Sequence, residues 1–133
     1  VPETATAQEI VITELLPNGV QTSYFRGSSA ERLQNIRTAA AQFDGVLVGL
    51  SHHLFHGSTW APRVCYLQDL FTVPEARGRG VARALIAHVA DAARAAGARR
   101  YYWLTQEHNA TARALYDRVA AFHGFIRYDH PVD

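Results

Sequence analysis

Lysine is absent: all thirteen basic residues of this 133-residue chain are arginine. A phosphate loop of the Walker type needs its lysine and Schiff-base catalysis needs a side-chain amine, so both chemistries are excluded. Arginine stays protonated in proteins, so these residues bind anions rather than carry protons. Cysteine occurs once, at Cys65, which excludes an intrachain disulfide and makes a reducing cytoplasm the expected location. Methionine is missing too, so Val1 is not expected to be the translated start. No apolar run approaches the ~20 residues of a membrane span. No charged start followed by an apolar stretch marks a signal peptide. The net charge of +1 is too small to point to a nucleic-acid partner.

What is there is a globular balance, 48% hydrophobic and 19% charged, in a length suited to one core. Repeats and linkers are not found, so residues 1–133 read as a single domain. Residues 9–16 read as a strand closed by the turn signal Pro17-Asn18-Gly19. Ser28-Ser29 before Ala30-Glu31-Arg32-Leu33 predicts a short capped helix. Asp44-Gly45 between apolar runs predicts a tight hairpin joining 38–43 to 46–50, the second strand continuing to Phe55. Residues 65–73 form the strongest strand signal, ended by Pro74.

Helical spacing of Val81, Leu85 and Val89 beside Ala82, Ile86 and Ala93 predicts a helix over 79–96, stopped by Gly97. Residues 99–105 read as a strand. Asn109 then caps a helix over 110–122 with Gly124 as its stop, and 125–128 reads as a last short strand. Strands around these helices imply an α/β fold on a mixed sheet.

The junction of strand and helix at Arg77-Gly78-Arg79-Gly80-Val81-Ala82 carries the chemistry. The first amides of a helix have no internal partner, and the helix dipole adds partial positive charge there. A pyrophosphate satisfies both. Gly78 and Gly80 clear the way for the backbone to approach it. Arg77, Arg79 and Arg83 can add charge-assisted hydrogen bonds. A Rossmann site wants a third glycine where Arg83 stands, and its strand comes first in the domain, so that reading fails.

The run from Tyr66 to Ile86, containing Arg77-Gly-Arg-Gly-Val-Ala82, resembles the core of the GNAT N-acetyltransferases. The later run from Asn109 to Tyr116, with Gly124-Phe125, resembles that family's final helix and its exit. The strand sequence is similar to the branch of spermidine/spermine acetyltransferases and a yeast histone acetyltransferase-like group. The resemblance implies acetyl-CoA as cofactor, in a cleft where two central parallel strands splay. Backbone at Leu70, Phe71 and Val73 would pair with its pantetheine arm, and nearby amides would hold the developing oxyanion. Its phosphates would sit at residues 77–82. The reaction implied is direct attack of a primary amine on the thioester.

A free alkyl amine has a pKa of ~10.4, so a base helps it react at neutral pH. The resemblance places Tyr116 near the cofactor sulfur as the acid; the alternative is a core tyrosine on an amphipathic helix. Gln68 stands where the polyamine branch has a glutamate, so it can orient an amine but not take its proton. Asp69 is the first candidate to bind or deprotonate the amine, with Glu107 and His108 as others. Alternation puts Gln68 and Asp69 on opposite faces unless the strand is bulged.

Asn109 caps its helix and, in the resemblance, lies against the cofactor. His52, His53 and His56 invite a metal reading, but no cysteine or acidic partner completes a set, so no metal is expected. One of them could relay protons. Trp60, Tyr24 and Phe55 are candidates to line the acceptor groove.

Only about 37 residues precede the hairpin, where such domains carry a strand and two helices. A homodimer that completes the cleft wall is therefore expected. The acceptor expected is a small amine, with peptide lysine acetylation and a non-catalytic CoA-binding module as alternatives.

Overall fold

The computed structural model describes residues 9–15 and 35–133. The turn at Pro17-Asn18-Gly19, the helix after Ser29 and Tyr24 lie outside the described residues. Among the described residues five strands form one sheet in chain order: β1 (Val11–Leu15), β2 (Ile36–Phe43), β3 (Val46–His56), β4 (Val64–Thr72) and β5 (Tyr101–Tyr102). The first three ladders are antiparallel, whereas β4 and β5 run parallel. The helices are α1 (Val81–Ala95) and α2 (Ala110–Val119). This is the mixed-sheet α/β architecture that the patterning implied.

The Asp44-Gly45 turn has positive φ at both residues, 49° and 79°. That backbone twist matches the twist of the strands it joins. α1 buries Val81, Leu85, Ile86, Val89 and Ala93 across one face of the sheet. Beneath its first turns lie Ala39, Ala41, Phe43 and Val48, and beneath its later turns Cys65 and Leu67. Each large apolar side chain buried here stabilises the fold by roughly 1.5–3 kcal/mol.

Gly49 makes the close approach possible. A Cβ there would lie 2.6 Å from Val81 Cγ1 and 3.0 Å from the Phe71 carbonyl oxygen. At the far end Gly97 (φ 71°) reverses the chain, with Ala98 N–H donating to Ala93 O and Gly97 N–H to Arg94 O. Orphan carbonyls of the helix end are satisfied in this way.

Three sequence expectations are corrected in the last third. Of the strand expected over 99–105, Tyr101 and Tyr102 form the ladder, Arg99 and Arg100 add single backbone bonds to Arg63 and Cys65, and the chain leaves β4 after Tyr102. The last helix ends at Val119, where Ala120 turns extended, rather than at Phe122. Its packed residues Leu115, Tyr116 and Val119 complete the contact with the core, and Phe122 is 65% exposed. Residues 125–128 form no strand: Phe125 and Tyr128 are exposed and pair with nothing in the sheet.

Candidate functional site

Two features of the sheet build a cleft. β4 continues to Thr72, but β5 accompanies it only as far as Tyr66↔Tyr102. Beyond that pair the strands part, opening a cavity of about 250 Å³. Its walls are Leu67, Gln68, Asp69 and Leu70 from β4, Trp103, Leu104 and Thr105 from the departing chain, and Asn109 and Tyr116 from α2. Sequence reasoning named Gln68, Asp69, Leu70, Asn109 and Tyr116 for this site, and the fold brings those five together.

The second feature is a bulge. His52 pairs with Asp69 and His53 with Leu67, which leaves Gln68 as an extra residue on β4. A bulge re-aims the side chains around it. Asp69 thereby faces away from α1 beside His52, and its Oδ2 lies 3.0 Å from His52 Nδ1. A carboxylate only accepts, so Nδ1–H is the donor. His52 finds an acidic partner in Asp69, but among the described residues the pair completes no group of three metal-ligating side chains. The histidine cluster remains divided across the sheet, because His53 turns towards α1 and meets Phe55 edge-on at 5.6 Å. Phe55 packs with the core under α1 and so does not line the acceptor side.

Tyr116 is half-buried, its ring edge-on to Trp103 at 5.4 Å. Burial pushes its phenol above the ordinary tyrosine range. The hydroxyl therefore keeps its proton at neutral pH, and the residue is part of the cavity wall. Asn109 accepts from Ala112 N–H as the helix cap and donates to Thr105 Oγ1 at 3.2 Å. Its two roles are compatible with its place on the cavity wall.

Leu70 is half-buried against the core, while Phe71 is exposed on the other face of β4. Val73 donates its N–H to Val48 O at 2.9 Å. Just beyond, Pro74–Ala76 form a single 3-10 turn that delivers the chain to the glycine loop.

Gly78 and Gly80 have φ of 77° and 85°. A Cβ on Gly78 would meet nothing within 4 Å, and one on Gly80 only Ile10 at 4.0 Å. Their backbone conformation, not crowding from the protein, explains these glycines, and the space above them is open to a ligand. No side chain caps α1. The first internal bond is Ala84 N–H to Gly80 O, so the amides of Val81, Ala82 and Arg83 belong to the unbonded first turn. Arg77 and Arg79 are exposed beside them, with the Arg79 guanidinium 4.3 Å above the Phe43 ring. An anion with several oxygens fits this cradle.

Cys65, the single thiol, is fully buried and pushed up to about 11 by desolvation, which makes it inert in this chemistry. Glu107 and His108 are exposed outside the cavity walls. Gly49 and the His52–Asp69 pair were missed in the sequence. Only the register, which depends on the bulge, could have revealed the pair.

The chain is similar to known N-acetyltransferases in sequence and fold. A D-amino-acid N-acetyltransferase of Saccharomyces cerevisiae, HPA3, is 38% identical over 57% of this chain and 48% of its own. An uncharacterised N-acetyltransferase of Bacillus subtilis, YhfO, is 31% identical over 81% of this chain and 78% of its own. A solved aminoglycoside N-acetyltransferase, AAC(6')-Iy in complex with CoA, superposes with a TM-score of 0.75 at 23% identity, covering 92% of this chain and 99% of that one. The chain spans about half the length of HPA3. The profile of the acetyltransferase (GNAT) family matches residues 11–122, and the chain belongs to that family.

Proposed function

We propose that this protein is an acetyl-CoA-dependent N-acetyltransferase acting on a small primary amine. The observation that carries the reading is one cavity, between parting strands, that holds a phenol and a carboxylate and lies on the same β4 segment that leads into an open anion cradle at a helix start. That HPA3 is an amino-acid acetyltransferase and AAC(6')-Iy an aminoglycoside one supports an amine acceptor.

Bound acetyl-CoA would supply an activated thioester. The chain's own residues would do the rest. Gly78, Gly80 and the first amides of α1 hold the phosphates, with Arg77 and Arg79 adding charge. The backbone of Leu70 and Phe71 lies along the path to the cavity, whereas Val73 already gives its N–H to Val48 and accepts from Ala76 at its carbonyl. Asp69, held by His52, would bind the ammonium and take up its proton so that the neutral amine attacks the thioester, while Gln68 orients it from the bulge. Tyr116 keeps a proton ready for the leaving sulfur, and Asn109 fixes the wall between them. A homodimer belongs to this reading, and the solution mass of the active protein tests it.

Release of free CoA thiol from acetyl-CoA, with a panel of amino acids, diamines, aminoglycosides and a lysine-rich peptide, tests the function. Turnover with a small amine is expected. Turnover confined to the peptide would move the acceptor class. Calorimetric CoA binding without turnover on any acceptor would favour a CoA-binding module.

A further inference from the structure

β5 is the edge of the sheet. Its ladder runs to β4 on one side, and among the described residues no strand pairs with its other side. A free edge is a template for another strand. Tyr101 to Leu104 carries neither charge nor proline to guard it, and Leu104 is exposed. Tyr101 donates its hydroxyl to Ile86 O of α1, so it faces the helix side, and Trp103 packs with it against the same core. Tyr102 stacks on Tyr66 on the opposite face.

The same chain carries a strand pattern without a sheet. Gly124 turns the chain with a φ of 80°. Ile126-Arg127-Tyr128-Asp129 then alternates apolar and charged residues with period two, the pattern of a half-buried strand. Arg127 and Asp129 pair at 2.9 Å, as residues two apart on one face of an extended chain do. Ile126 and Tyr128 fall on the other face, 70% and 87% exposed, and Phe125 beside them is 85% exposed. Three large apolar side chains within four residues therefore stand in water, a mark of an interaction surface.

Charge selects the sense in which this strand fits the edge. Antiparallel addition with Tyr128 opposite Tyr101 sets Ile126 against Trp103, so both apolar residues extend the layer under α1. Phe125 then meets Leu104, and Asp129 meets Arg100, which lies exposed over the Trp60 ring at 4.4 Å. Parallel addition would carry Asp129 to the other end of β5, away from Arg99 and Arg100. The chain's own tail leaves β5 through a single helix, α2, and such a crossover returns parallel. The antiparallel occupant is therefore a second copy. We propose that residues 125–129 of one copy pair with β5 of another, and that the exchange is mutual, giving a two-fold dimer. The apolar side chains of one such strand can bury on the order of 400 Å². Doubled by the receiving surface and again by symmetry, the total reaches roughly 1,600 Å², the size of a stable interface. Association needs no cofactor, so it stands apart from the acetyltransferase reading.

Sedimentation equilibrium at micromolar concentration tests the association, with a dimer mass expected for the wild-type chain. Ile126→Glu with Tyr128→Glu sets unpaired carboxylates on the face to be buried and should raise the dissociation constant at least about hundredfold. Circular dichroism should show the fold of that variant unchanged, because both positions are exposed within one chain. A second variant, Leu104→Cys with Phe125→Cys, reads the register directly. Opposite residues of an antiparallel pair have Cβ atoms within ~5.5 Å, a reach that a disulfide can span after small adjustment. The native Cys65 is fully buried and does not compete. Mild oxidation should therefore link two copies covalently.

A monomer mass for the wild-type chain, or a dimer that survives Ile126→Glu with Tyr128→Glu, would overturn the proposal. So would an internal disulfide in the two-cysteine variant, which would show the tail docked on its own sheet. None of these results bears on CoA binding or turnover.

Discussion

The His52 imidazole donates from Nδ1 to Asp69 Oδ2 across the bulge at Gln68, at 3.0 Å. This bond sets which carboxylate oxygen remains for an incoming amine. Asp69→Asn should therefore cut kcat/KM for the amine roughly 10- to 100-fold, with the KM for acetyl-CoA unchanged. Steady-state kinetics with each substrate varied in turn would read the split. Equal loss on both substrates would point to a damaged cleft instead of a lost amine site.

Tyr116→Phe keeps the ring against Trp103 and removes the only proton the phenol can give. Turnover should drop about tenfold or more, while calorimetric CoA affinity stays within roughly twofold. Wild-type turnover would take Tyr116 out of the reaction.

Gly80→Asp sets a carboxylate at the start of α1, where the backbone has φ 85°. Aspartate tolerates that conformation better than most residues, so the variant should fold. CoA affinity should nonetheless fall at least about tenfold, because the carboxylate takes the amides and repels the phosphates. A thermal melt beside the calorimetry separates the two effects. Unchanged affinity would remove residues 77–82 from the phosphate site.

Gly49→Ala tests the packing that supports that cradle. The new methyl would press on Val81 and on the Phe71 carbonyl. Urea unfolding should report a loss of about 1–3 kcal/mol, with weaker CoA binding as α1 shifts at its first turn.

His53 is fully buried, and desolvation holds its pKa below 6.5; Glu14 opposes this, and His88 and Arg37 reinforce it. The unfolded chain therefore takes up a proton at a higher pH than the folded one. Stability should be level in this respect above about pH 6.5 and decline as the pH falls below it, by at most ~1.4 kcal/mol per unit. The same scan on His53→Leu should be flatter; an identical slope would place the dependence elsewhere.

Much of this was legible because local physics decided it. Asp44-Gly45 and the spacing of Val81, Leu85 and Val89 each need only neighbours in sequence, and each stands as read, while the glycines at 78 and 80 take positive φ just before α1. The cleft wall was legible through the family's motifs. What was hidden depends on distant contacts. The pairing of His52 with Asp69 follows from one extra residue in β4, which no periodicity announces. The length of the last helix and the fate of residues 125–128 were misread because Phe122, Phe125 and Tyr128 carry apolar, strand- or helix-compatible side chains yet meet no core. Gly49 looked like an ordinary strand residue until α1 lay on top of it.

The early parting of β4 and β5 has a thermodynamic side. From Leu67 onward β4 has a ladder only on its β3 side, so half of its backbone hydrogen-bonding capacity is left to water. A ligand laid along that edge would act as a missing sixth strand and close the sheet. Occupancy should then slow amide exchange along the end of β4 and raise the melting temperature by mass action. The protein would be at its most rigid while engaged in turnover and loosest between rounds.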